Sequence, residues 1–209
     1  MKTLTTLLVV GMFLTTVAMG AQAYKKAEKS TETMRKTREE ITKAKTQKDK
    51  TMAALAQLVG QTSGNLQKPY KKFADELKDL EKSSDKVRKL ATDMRAKNQD
   101  YFKAWEKELS EIQNPDLQEK AGQRRAEAVK KFEEVNPKIQ ATRDVFVSFM
   151  ANLQDISTYL SADLSPGGIA TISEMVKETQ DQNKAVDDGI EKVMQALEEF
   201  AAEFSPQTS

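Results

Sequence analysis

From Leu66 to Ile112 apolar side chains return at alternating steps of three and four. Leu66, Phe73, Leu80, Val87, Met94 and Tyr101 form one series seven apart, and Tyr70, Leu77, Ser84, Ala91, Asn98, Trp105 and Ile112 form its companion. Sustained for about six heptads, that spacing keeps one stripe of a helix turned toward a partner, which is the seam of a coiled coil. Two polar residues, Ser84 and Asn98, fall on the seam. A polar seam residue trades stability for a single alignment, so the pair is read as fixing register and not as binding a ligand.

Two later stretches repeat the pattern. Ala128, Phe132, Val135, Ile139, Thr142, Phe146, Phe149, Leu153, Ile156 and Leu160 carry one; Ile169, Ile172, Val176, Thr179, Asn183, Val186, Ile190, Val193, Leu197, Phe200 and Phe204 carry the other. An earlier stretch is weaker, with Ala27, Met34, Ile41, Lys48 and Leu55 on its seam and Thr37, Ala44 and Leu58 beside it. Small and polar seam residues bury little apolar area, so this helix is expected to pack last and open first. Glycine and proline gather at Gly60–Gly64, at Pro115 with Gly122 behind it, and at Pro166-Gly167-Gly168. This punctuation predicts four helical segments, 24–62, 66–113, 115–163 and 168–204. Pro137 lies inside the third and predicts a kink or a break there.

Short links between long helices make neighbours antiparallel. The expected fold is therefore all-α: an elongated up-down four-helix bundle or coiled coil, one domain over 24–204 with a disordered tail at 205–209. The second and third segments are longer than the others by about ten residues, or ~15 Å at 1.5 Å per residue. With the helices level at the other end, residue 24 lies opposite residue 102, and a second–third hairpin projects from about 103 to 125. Phe102, Trp105 and Leu109 stand on or beside it, and Trp105 is expected to face Arg124 and Arg125, where a guanidinium can stack on the indole. Two readings stay open: a seam tryptophan locking a two-helix tip, or an uncovered contact site of the aromatic and arginine kind that dominates interfaces.

Charge adds to this picture. Residues 24–50 hold ten Lys/Arg against five Asp/Glu, whereas 163–209 hold three against ten. In an up-down bundle the first and last helices are neighbours, so the basic stretch is read as pairing with the acidic one; the alternative is adhesion to an anionic surface. The whole chain is near neutral, at +1, which gives no general attraction to nucleic acid.

The start of the chain has the form of an export signal. Met1-Lys2 is followed by a mainly apolar run, Leu4–Ala18, too short for a membrane span, and by Ala21-Gln22-Ala23 with small residues at both recognition positions. Cleavage after Ala23 is expected, making residues 1–23 a signal peptide and the periplasm the destination. Cysteine and histidine are both absent. Disulfides, Cys/His nucleophile pairs, Ser-His-Asp triads and the usual zinc sites are thereby excluded. Asp181–Gly189 lacks calcium-loop spacing, and Ser165–Ser173 lacks the Lys-Ser/Thr of a phosphate loop. The pairs Glu133-Glu134 and Glu198-Glu199 point in different directions on helices. No catalytic residue, metal or cofactor is expected.

The segments "AWEKELSEIQNPDLQ" (104–118), "VNPKIQATRDVFVSFM" (135–150) and "NLQDISTYLSADLSPGG" (152–168), and more loosely "MRKTREEITKAKTQKDKTMAAL" (34–55), resemble a bacterial family of exported coiled-coil proteins catalogued as a domain of unknown function. The resemblance implies export and a helical fold, and no activity. The expected function is that of a non-enzymatic structural or interaction protein of the cell envelope, with a protein or envelope component as partner and no nucleic acid. The alternative is a module that opens its apolar seams on lipid or on a client, with contact at a membrane surface. A monomer and a homodimer both satisfy the seams.

Overall fold

The computed structural model describes residues 20–61 and 64–204. The expected leader, apart from its last residues, and the expected tail lie outside them. Six helices follow in order: α1 (Gly20–Val59), α2 (Gln67–Leu109), α3 (Pro115–Glu133), α4 (Val135–Ala162), α5 (Pro166–Thr171) and α6 (Ser173–Phe204). They form an all-α antiparallel bundle of four rods, because α3 continues into α4 and α5 into α6.

Local chemistry sets the ends. The Asn114 side chain accepts a hydrogen bond from Leu117 N and Pro115 opens α3, as a capped start requires. Ser165 and Pro166 repeat this device at α5, where Ser165 Oγ accepts from Gly168 N. Between α1 and α2, Gly64 has φ 100°, a left-handed conformation that favours glycine. The third rod is interrupted at Glu134 alone, whose φ −66° and ψ −18° stay helical. Pro137 falls in the first turn of α4, where a missing N–H costs least, and the rod is divided just before it into α3 and α4.

Burial is divided between two cores. Toward the α1–α2 turn, Leu55, Leu58, Phe73, Leu80, Phe149, Leu153, Ile156, Leu160 and Val186 pack together from all four rods. Toward the α2–α3 turn, Met34, Ile41, Met94, Phe102, Phe132, Val193, Leu197, Phe200 and Phe204 form the second.

The seam of small and polar residues on the first rod is buried. Ala27, Ser30, Thr33, Thr37, Thr51 and Ala54 are buried, and α1 and α2 lie in close apposition along their length. Small side chains let the two backbones approach, so the seam that looked weak makes the tightest helix pair. Its hydroxyls are satisfied locally and across the pair: Thr51 Oγ1 donates to Gln47 O and to Glu76 O, both at 3.0 Å. The expected charge pairing is present in part. Arg38–Glu198 (3.3 Å) and Lys45–Asp187 (3.0 Å) join α1 to α6, while Arg35 pairs within α1 to Glu32 and Glu39 and holds the Glu32 carboxyl down at about 2.

The two polar seam residues of α2 do not reach a partner helix. Ser84 Oγ donates to Glu81 O, and Asn98 Nδ2 donates to Met94 O, each within its own helix.

Candidate interaction site

Helix α1 extends further toward the α2–α3 turn than its sequence suggests. It begins at Gly20, and Ala23 N donates to Glu108 Oε1 at 2.8 Å. The expected processing point after Ala23 thus lies within a helical turn docked on α2. On the other flank α6 ends at Phe204, beside Arg124. The stretch covered by neither rod is therefore about 109–121, shorter than the 103–125 read from helix lengths. Its turn is closed by Asn114 and by Gln118 Nε2, which donates to Leu109 O at 3.3 Å.

The five residues expected at the site separate into two groups. Phe102 is only 7 % exposed. Its ring meets Phe132 edge-on at 5.9 Å and Phe200 at 6.4 Å, so it belongs to the core and is not open to a partner. The two arginines brace that core. Arg125 Nε donates to Phe102 O at 3.0 Å and Arg125 Nη2 to Glu106 Oε2 at 3.0 Å. Arg124 lies over the Phe204 ring, 5.2 Å from its centroid, and donates to Glu203 O at 3.1 Å. The expected arginine–indole stack is replaced by these contacts, because α6 ends close enough to offer a phenyl face.

Trp105 stacks instead on Tyr101, one turn earlier, with centroids 5.5 Å apart and 21° between planes. Burial pushes the Tyr101 phenol up, against the opposing charge of Arg124. Trp105 and Leu109 stay half-buried. Beyond them Ile112 is half-buried and Leu117 is 56 % exposed, while the other residues of 110–120 are exposed. The hairpin thus presents an apolar edge, Trp105–Leu109–Ile112–Leu117, on a polar tip.

A shallow groove of about 270 Å³ flanks the same end, lined by Gln22 and Lys26 of α1, by Lys103, Ala104, Lys107 and Glu108 of α2, and by Glu111 in the turn that follows. The four-residue spacing of Lys103 and Lys107 was the only sequence sign of it, since its other wall depends on where α1 starts. For chemistry the fold offers little. Glu198 pairs with Arg38, and Glu199 accepts from Gln195. Among the described residues, no group of three or more acidic, histidine or cysteine side chains is placed to hold a metal ion. No described helix is long and apolar enough to cross a membrane.

A family model described as "Protein of unknown function (DUF2959)" matches residues 17–204. No curated protein and no solved structure matches the chain.

Proposed function

The chain belongs to the DUF2959 family, and we propose that it is a non-enzymatic, exported interaction protein of the bacterial cell envelope that meets its partner at the α2–α3 hairpin. One observation carries this reading: Leu117, 56 % exposed, continues an edge of half-buried Trp105, Leu109 and Ile112 on a stretch that neither α1 nor α6 covers. Tryptophan is among the residues that dominate interface energetics, and apolar surface left uncovered beside one is the mark of a contact site. The apolar run Leu4–Ala18 and the Ala-Gln-Ala that follows support export. Each of the four rods places apolar seam residues in buried cores near both ends of the bundle, which favours the tip over a bundle that opens on lipid or client.

Photo-crosslinking in cells, from positions 105, 109 and 117 and from position 147 on the exposed outer side of α4, tests the assignment. One discrete adduct is expected from the three tip positions and none from position 147, and Leu117→Ala with Trp105→Ala is expected to abolish it without unfolding the protein. Adducts from position 147 alone, or a tip adduct unchanged in the double variant, would remove the hairpin from consideration.

A further inference from the structure

Among the described residues Lys48 is the one charged side chain that is fully buried, at 1 % exposure. It sits on the α1 seam between Ile41 of one core and Leu55 of the other. Its ammonium donates to Asn183 Oδ1 and, at 3.1 Å, to Asp187 Oδ2 on α6, and at 2.8 Å to Asp49 Oδ1 on α1. All three donors are used. Asp187 Oδ1 lies 3.0 Å from Lys45 as well. Helix α6 is pinned from its other side at the same level: a methyl group on Gly189 would stand 2.7 Å from Thr142 Oγ1 on α4.

A methionine at position 48 would fill similar space without removing an ammonium from water, and replacing a buried ion cluster by apolar side chains is often neutral or stabilising. The cluster's contribution lies in selection. Met34, Ile41, Lys48 and Leu55 are seven residues apart, so the apolar stripe alone accepts α1 displaced by one repeat, ~10 Å at 1.5 Å per residue. Moved one way, Lys48 would meet Val176 and Gln180 in place of Asn183 and Asp187; moved the other way, it would meet Ile190 and Met194. Either shift takes the ammonium away from both of its partners on α6, leaving it Asp49 alone, and turns Asn183 and Asp187 toward Leu55 or Ile41, so polar groups that are matched in register are mismatched out of it. Ser84 and Asn98 cannot exert such selection, because each bonds only to its own helix.

We propose that Lys48, Asn183 and Asp187 are the register lock of the bundle. They set the axial position of the α1–α2 pair against α6, and with it the distance by which the α2–α3 hairpin extends past the end of α6. The chain has no cysteine, so spin labels at Lys43→Cys on α1 and Glu191→Cys on α6, both exposed positions, report this alignment alone. The otherwise unaltered protein is expected to give one narrow distance distribution. Lys48→Met is expected to broaden it or add a population displaced by up to ~10 Å, with the thermal midpoint held or raised. Should Lys48→Met fail to fold, Lys48→Met/Asn183→Leu/Asp187→Leu carries the same reading. A narrow, unshifted distribution in the variant that folds overturns the proposal, and so does unfolding of both, since a lock of this kind is dispensable for stability.

Discussion

The two ends of the bundle are built to different standards of closure. At the α1–α2 turn, Leu58, Phe73, Leu80, Phe149, Leu153, Ile156, Leu160 and Val186 are wholly excluded from solvent, and each rod contributes. At the α2–α3 turn the core ends in phenylalanines, Phe102, Phe132 and Phe200 meeting edge to face and Phe204 tilted against Phe200, each with a trace of exposure, and the aromatic layer continues outward as Tyr101 and Trp105. One end is sealed by the number of rods that reach it. The other is sealed by side chains because the rods stop at different levels, and apolar surface is left over where they stop. Closure is thus complete at one end of the fold and partial at the other.

Truncation should separate the ends most sharply. Phe149→Ala opens a cavity inside four rods and is expected to cost about 3–5 kcal/mol in urea denaturation. Phe204→Ala, at the last residue of α6, is expected to cost under about 2 kcal/mol, since helix ends open at low cost. Equal losses would dissolve the contrast.

Glycine sharpens it at the next scale. A Cβ on Gly168 would lie 2.1 Å from Asp163 O, a backbone atom with little freedom to yield. Gly168→Ala should therefore lower stability by about 1–3 kcal/mol. Gly122, in α3 near the tip, has nothing within 4 Å of such a Cβ, and Gly122→Ala should raise stability by about 0.5–1 kcal/mol through helix propensity. Thermal unfolding of the two variants reads both signs.

The smallest effect is expected at alkaline pH. Burial raises the Tyr101 pKa, which favours the neutral phenol in the folded state. Its contribution is fully present below the unfolded phenol pKa and is lost as pH rises through the elevated folded value. Ultraviolet titration should show a late-ionising component that Tyr101→Phe removes. Amide exchange in that range should quicken around residues 98–108 before it does around 149–160; simultaneous quickening would contradict the assignment.

Much of this was legible in the sequence, for identifiable reasons. Seams spaced seven apart marked the faces of all four rods, and Pro115 announced a helix start because the fixed φ of proline suits a first helical turn. The overhang was misplaced because the first turn of α1 lies within the residues read as leader, which shifts the covered stretch to Glu108. The partner of Arg124 was missed because it depends on where the last helix ends, which a seam pattern places only to within a turn. Lys48 read as a flaw in the weakest seam. Its acceptors lie 135 and 139 residues away, and spacing along one helix carries no sign of them.

The small-residue clasp between α1 and α2 has a mechanical corollary. Two helices held together by alanine, serine and threonine have few long side chains to change rotamer, so sliding or bending of one against the other meets backbone almost at once. The pair therefore behaves as a stiff strut. A displacement applied at one end of the pair is passed along both helices to the other end and is not absorbed on the way.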